Sequence, residues 1–315
     1  MTLTRRSRRL LLGLLLYLAF SAVAGVFVAD GTLHPAKRPL TEEDLAAARN
    51  VFLKSNADLT ETSITTSDGV VLRGWIVKPP YDNSSAAILL HGLGDNRLGM
   101  IGYANLLLAH GYTVLIPDTR AHGISGGEVA TYGLLERNDI HQWADFLTEK
   151  AHAPCVFGLG ESMGAAQLLQ SLETKPKICA VVAESPFATF REIAYDRMGQ
   201  PFHTGPWLGR TFFRPLVEFA LLRARWKYGL EMKEISPKDS IARSHIPVLL
   251  IHGTADSNIP VRHSRMIHAH DPQTVLWEVP NADHCGAVSV APAEFEQKVL
   301  QHFARTSPDV AKSTP

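Results

Sequence analysis

The sequence predicts an α/β fold with a mostly parallel central sheet, helices on both faces and one helical insertion. Three observations carry that expectation. Apolar runs of four or five residues recur at Ala86 to Leu90, Thr113 to Ile116, Val156 to Leu159, Ala180 to Ala183, Val248 to Ile251 and Val275 to Val279. Helical patterns separate most of them: Gly99 to His110, Gly133 to Lys150, Met163 to Leu172 and Arg262 to His270. Such alternation reads as strands buried on both faces and joined by crossover helices. The third observation is the interval Ser185 to His245, which has no strand pattern and breaks the rhythm.

Near the N-terminus Arg5, Arg6, Arg8 and Arg9 precede Leu10 to Ala29, a stretch without charge. A helix over those residues would cover ~30 Å, the thickness of a bilayer's hydrocarbon core. The arginines would stay cytoplasmic and place the body on the exported side, periplasmic or extracellular. Residues 1–29 therefore read as a transmembrane anchor. Two other readings stay open. Leu10 to Phe20 has signal-peptide length, and Ala22-Val23-Ala24 is an A-x-A cleavage signal that would release a secreted body. Ser7-Arg8-Arg9-Leu10-Leu11 also loosely resembles a twin-arginine signal. The remaining reading is a buried N-terminal helix.

Residues 30–61 read as a linker or packing arm. They carry Pro35, Pro39 and a helix from Glu42 to Lys54, opened by the capping box Thr41-Glu42-Glu43-Asp44. The α/β body is expected over 62–315. Its first element is a hairpin, Ser63 to Ser67 and Val70 to Val77, turning at Asp68-Gly69. The insertion, about 185–245, is rich in aromatics such as Phe187, Tyr195, Trp207, Phe212 and Trp226, and is expected to form a helical cap. Its basic residues Arg210, Arg214, Arg223, Arg225 and Lys227 read either as a face for anionic lipid or as a solvated helix surface. A closing helix is expected around Ala293 to Phe303.

Composition narrows the function classes. The 315 residues are 45% hydrophobic and 20% charged, which fits a globular chain with a large core. Basic and acidic residues balance at 31 each, but four of the basic ones lie in residues 1–29, so the remainder is mildly acidic. That argues against a nucleic-acid partner, which needs a basic face. The three cysteines, Cys155, Cys179 and Cys285, are far apart and form no C-x-x-C pair. They indicate neither a zinc site nor a redox motif, and Cys155 and Cys179, beside apolar runs, are expected to be buried free thiols. No metal or organic cofactor is implied.

The chemistry concentrates in three segments. Gly160-Glu161-Ser162-Met163-Gly164 follows one apolar run and opens a helical one. A serine at that strand-to-helix turn is held in a strained conformation that lifts its hydroxyl clear of the sheet. The helix behind it directs N–H groups toward an anion formed there. A serine hydroxyl is a weak nucleophile near neutral pH and needs a base. Asn281-Ala282-Asp283-His284-Cys285-Gly286 places His284 in a polar loop after the last apolar run. Asp256, in His252-Gly253-Thr254-Ala255-Asp256, lies just past the preceding run and is expected to orient His284. Asp283 adjoins His284 in sequence and is badly placed for that bond. His91-Gly92-Leu93-Gly94 ends another run, so the backbone N–H groups of Leu93 and Met163 are expected to form an oxyanion hole. His91 itself is expected to shape its loop.

The chain order Ser162, Asp256, His284 resembles the nucleophile–acid–base order of the α/β-hydrolase superfamily. Asp118-Thr119-Arg120-Ala121-His122-Gly123-Ile124-Ser125 resembles the D-x-R-G-H-G-x-S segment of that superfamily, with Ala121 replacing the first glycine. His252 to Asp256 with Ile259-Pro260 resembles its acid-bearing segment. The likeness runs over about 62–305 and is nearest to membrane-associated, serine-aminopeptidase-like and lipase-like hydrolases. It implies an α/β-hydrolase fold and cofactor-free cleavage of a small acyl substrate, including lipidic ones. A carboxylic ester hydrolase is the leading expectation. A peptidase, amidase or thioesterase would use the same triad, and a membrane-tethered non-catalytic binding protein is the remaining alternative. Serine rather than aspartate at the elbow argues against an epoxide or haloalkane hydrolase. Acyl chain length, leaving group and oligomeric state are not encoded in any of these motifs.

Overall fold

The computed structural model describes residues 4–174 and 176–306; the ends of the expected first and last segments, 1–3 and 307–315, lie outside the described residues. The chain forms two compact units. One joins the N-terminal segment through His34 to Thr189–Ile235, and the other holds Pro35–Ala188 and the chain from Ser236 onward.

The larger unit is built on eight strands: β1 Asp58–Thr65, β2 Val71–Lys78, β3 Ala86–Leu90, β4 Thr113–Pro117, β5 Val156–Glu161, β6 Ile178–Glu184, β7 Val248–Gly253 and β8 Val275–Val279. Their order is β1-β2-β4-β3-β5-β6-β7-β8. β2 pairs antiparallel with β1 and β4, and β4 through β8 are parallel. The hairpin turns through Thr66–Val70, where Gly69 takes φ +83°. β1 begins five residues earlier than the sequence suggests. It is an edge strand whose residues, apart from Leu59, are not buried, so no apolar run announces it.

Helices α1 Arg5–Leu33, α6 Phe190–Gly199, α7 Trp207–Arg210 and α8 Arg214–Tyr228 belong to the smaller unit. The larger unit carries α2 Glu42–Lys54, α3 Ile101–Ala109, α4 Glu136–Ala151, α5 Ser162–Ser171, α9 Pro237–Ile241, α10 Arg262–His270, α11 Ala287–Val290 and α12 Pro292–Thr306. Alternate strand residues go to opposite faces of the sheet. Ala87, Leu89, Phe157, Leu159, Val182 and Leu249 pack with Phe52, Leu107, Phe295 and Phe303. Ile88, Leu90, Val156, Val181 and Leu250 pack with Trp143, Leu147, Leu168 and Ile267. The α2 capping box is formed: Asp44 N–H donates to Thr41 Oγ1 at 3.1 Å and Thr41 N–H to Asp44 Oδ2 at 3.0 Å. Phe52 carries α2 into the core, so this arm is part of the sheet unit. The ends of the expected insertion also differ from the observed division. Residues 185–188 and 236–245, including α9, pack in the sheet unit, where α9 meets α5 and α10.

One expectation is overturned. Cys155 and Cys179 are not free thiols; they form a disulfide with Cα atoms 5.7 Å apart. β5 and β6 are parallel neighbours with Val156 opposite Ile178, which brings the two cysteines side by side. Cys285 remains free.

In the smaller unit α1 continues past Ala29 to Leu33, so Asp30, expected to open the linker, lies inside the helix. α1 runs alongside α8 in the same direction. The Tyr17 ring lies 5.2 Å from that of Phe212. Asp30 accepts from Arg223 at 3.1 Å and from the Tyr228 hydroxyl at 2.9 Å. Ser21, Gly25, Ala29 and Leu33, four residues apart, are the buried stripe. The helix is long and apolar enough to cross a membrane, and Leu10 to Leu16, Phe20, Val23 and Phe27 present exposed side chains.

Candidate active site

The turn between β5 and α5 sets the first candidate group. Ser162 takes φ +51°, a left-handed conformation that costs a side-chain-bearing residue of order 1–3 kcal/mol. The surrounding packing enforces it. A Cβ at Gly164 would stand 2.4 Å from the Leu90 carbonyl oxygen, so only glycine lets α5 approach the end of β3 this closely.

His284, in the loop after β8, brings Nε2 to 2.9 Å from Ser162 Oγ. Its Nδ1 is 2.8 Å from Asp256 Oδ2. The Asp256 side chain is fully buried in the turn after β7 and Oδ1 accepts from the N–H groups of Asn258 and Ile259, at 2.9 and 2.7 Å. Burial by itself would raise the Asp256 pKa. The hydrogen bonds from His252 and His284 outweigh it and hold this carboxyl well below the usual carboxylate range. An ionised carboxylate only accepts, so Nδ1 of His284 carries the proton and Nε2 is left to accept from the serine hydroxyl. Asp283 is turned away: its Oδ1 accepts from Ser257 N and Oγ at 2.9 and 3.1 Å.

Met163 and the loop that carries Leu93 both adjoin the serine. Met163 lies in the first turn of α5, where N–H groups have no partner within the helix. The loop after β3 passes close by, with a Cβ at Gly92 reaching 3.5 Å from Ser162 Cβ, and Leu93 follows in that loop. His91 is fully buried. Its Nε2 accepts from Thr119 N–H at 3.1 Å while Nδ1–H donates to the Gly92 carbonyl at 2.8 Å, tying the β3 and β4 loops together. Burial lowers its pKa to about 4, which leaves the neutral ring that this accepting bond requires. Ala121 has φ +62°, the conformation that explains a glycine there in the resembling motif. Asp118 of the same loop pairs with the buried Arg97 at 2.7 Å.

Two features escape motif reading. His252 is a second neighbour of Asp256, with Nε2 3.3 Å from Oδ2 and 2.7 Å from the Ile259 carbonyl, while Nδ1 accepts from Ser264 Oγ at 2.7 Å. The other is an acidic pair behind the elbow, Glu184 buried and Glu161 half-buried. Tyr103 donates to Glu184 Oε2 at 2.9 Å and lies 3.4 Å from Glu161 Oε2. Ala287 N–H donates to Glu184 Oε1 at 3.0 Å and Gly92 N–H reaches Glu161 Oε1 at 3.4 Å. Burial pushes Glu184 up to about 7 and raises Glu161 as well. A carboxylate ending an apolar run was the available signal for Glu184. Burial, then the nearby carboxylates, also push the Cys285 thiol well up, which keeps it protonated and unreactive. Among the described residues no group of three or more His, Cys, Asp or Glu is placed to hold a metal ion.

Comparison with known proteins bears on the family and the fold. The uncharacterised protein YqkD of Bacillus subtilis is 31% identical over 225 residues, 70% of this chain and 71% of that protein. The uncharacterised protein YfhR of Escherichia coli K12 is 27% identical over 238 residues, 71% of this chain and 73% of its own length. Among solved structures, the Pyrococcus furiosus esterase Pf2001 superposes with a TM-score of 0.66 at 25% identity, over 88% of this chain and 98% of that one. A profile of the alpha/beta hydrolase family matches residues 87–298, and on that match, with the sheet order and elbow described above, the chain belongs to the alpha/beta hydrolase family.

Proposed function

We propose that this chain is a membrane-attached serine hydrolase that cleaves carboxylic esters through Ser162, His284 and Asp256. Family membership and the esterase neighbour support hydrolase chemistry. The observation that carries the finer reading is the continuous relay Ser162 Oγ–His284 Nε2 and His284 Nδ1–Asp256 Oδ2, at 2.9 and 2.8 Å, joined to a serine in a strained turn. In this reading Ser162 attacks the acyl carbonyl as His284 takes its proton. Met163 and Leu93 N–H groups receive the oxyanion, each worth about 100- to 1000-fold in rate. His284 then protonates the departing alkoxide, and a water activated by the same ring releases the acid from the acyl-enzyme. Asp256 holds the histidine tautomer and stabilises the imidazolium.

Attachment through α1, with the sheet unit on the exported side, follows from the length and apolar surface of that helix and from the arginines before Leu10. The Cys155–Cys179 disulfide supports export, because such bonds persist in oxidising compartments. A membrane location favours lipidic acyl substrates.

The test is labelling of the full chain in detergent with a fluorophosphonate, beside Ser162→Ala and His284→Ala. We expect labelling of the wild type, none in Ser162→Ala, and a loss of ~100-fold or more in His284→Ala. A folded wild type that does not label would overturn the proposal. A matched series of ester, thioester and amide substrates then fixes the bond cleaved.

A further inference from the structure

The smaller unit places the anchor helix and the insertion in one body, and this bears on what touches the membrane. Tyr17 is against Phe212, and a Cβ at Gly25 would meet Phe219 and Leu216. Asp30 is held by Arg223, Lys227 and Tyr228. α1 is thus engaged with α8 from Tyr17 to its end. The twelve residues Arg5 to Leu16 that precede this seam extend only ~18 Å, short of the ~30 Å of hydrocarbon. Any placement that puts residues 10–29 in lipid therefore carries α8 to the bilayer with it.

The surface of the insertion suits that placement. Trp207, Phe212, Leu222 and Trp226 are 63%, 56%, 57% and 80% exposed, a high exposure for side chains of this kind. Leu222 and Trp226, four residues apart, share one stripe of α8, and Arg223 of the seam lies 5.9 Å over the Trp226 ring. Tryptophan beside arginine and lysine is the side-chain mixture that seats at the level of lipid headgroups. Charge agrees. The insertion Thr189–Ile235 holds 8 basic and 5 acidic residues, net +3, whereas the sheet unit holds 19 and 25, net −6. An anionic bilayer surface attracts the first and repels the second.

We propose that the insertion is itself a membrane-contacting surface, in which Trp207, Phe212, Leu222 and Trp226 enter an anionic bilayer beside α1. This rests on the membrane attachment proposed above and extends it from the anchor to residues 207–226.

The experiment uses the full chain mixed with phosphatidylcholine–phosphatidylglycerol vesicles, with flotation to measure attachment. Bromine-labelled acyl chains then quench tryptophan emission. Trp75 and Trp143 are fully buried in the sheet unit and silent to lipid, and the half-buried Trp277 of β8 is changed to Phe in every protein compared. Wild-type emission is expected to be quenched, and Trp207→Phe/Trp226→Phe, which keeps the surface apolar, to lose at least about half of the quenchable emission. Leu222→Cys carrying an environment-sensitive fluorophore gives an independent reading, with a blue shift expected on vesicle addition. Protein that floats while quenching is unchanged in the double variant and the fluorophore does not shift would overturn the inference and leave the attachment standing. If the apolar surface instead pairs two copies, sedimentation shows a dimer without quenching, which also overturns it. Failure to float overturns both.

Discussion

Glu184, 1% exposed, ends β6 with its carboxyl held by the Tyr103 hydroxyl and the Ala287 N–H and with the Glu161 carboxyl as a neighbour. Burial raises its pKa from 4.5 to about 7. A carboxyl that binds its proton more tightly when folded gives stability that is complete below the unfolded pKa. That stability is lost as pH rises through the folded pKa. A shift of this size corresponds to about 3 kcal/mol, falling away between roughly pH 4.5 and 7. Glu184→Gln removes the titration while keeping an oxygen for one donor. Urea unfolding at steps from pH 5 to 8 is therefore expected to show the wild type weakening relative to Glu184→Gln; parallel pH profiles would refute the assignment. The sequence makes Ser162, Asp256 and His284 legible because each follows a strand-like run in a recognisable order. Glu161 and Glu184 are not legible as a pair, since 23 residues separate them and only the β5–β6 register sets them opposite each other.

The same pairing governs the disulfide. Cys155 immediately precedes β5 and Cys179 is the second residue of β6, so a cross-link between them closes a loop over a separation of 24 residues. Closing such a loop in the unfolded chain is worth about 3 kcal/mol in the chain-entropy account. Cys155→Ser/Cys179→Ser, or the wild type under reductant, is expected to melt about 5–10 °C lower in calorimetry. A double variant that melts with the wild type would show that the bond contributes nothing to stability. At this scale most elements are readable from pattern alone: α10 and β8 have the expected bounds, and β3 does too. Neighbour relations are not, because apolar periodicity reports which face is buried and not which strand lies alongside. Reading the two thiols as separate follows directly from that gap.

The whole molecule divides its work between an acidic sheet unit and a basic helical unit, and the second is the part least visible in sequence. Hydropathy is a local property, so residues 10–29 read as a lone membrane segment. Their partner α8 lies nearly two hundred residues away, as the Tyr17–Phe212 separation of 195 shows. The closeness of that contact is set by Gly25, where a Cβ would fall 2.8 Å from Phe219 Cβ and 2.9 Å from the Leu216 carbonyl oxygen. Gly25→Leu leaves α1 at least as apolar, so its partitioning into lipid is preserved while its packing is not. The substituted side chain forces the helices apart and releases Asp30 from Arg223 and Tyr228. α8, without its partner, then opens more often, and opening is what admits a protease. Trypsin is expected to cut at Arg223, Arg225 or Lys227 at least about tenfold faster in Gly25→Leu than in the wild type, while the sheet unit melts unchanged. Equal cleavage rates would mean that α1 and α8 do not hold each other, and the insertion would then have to be stable on its own helices α6 and α7.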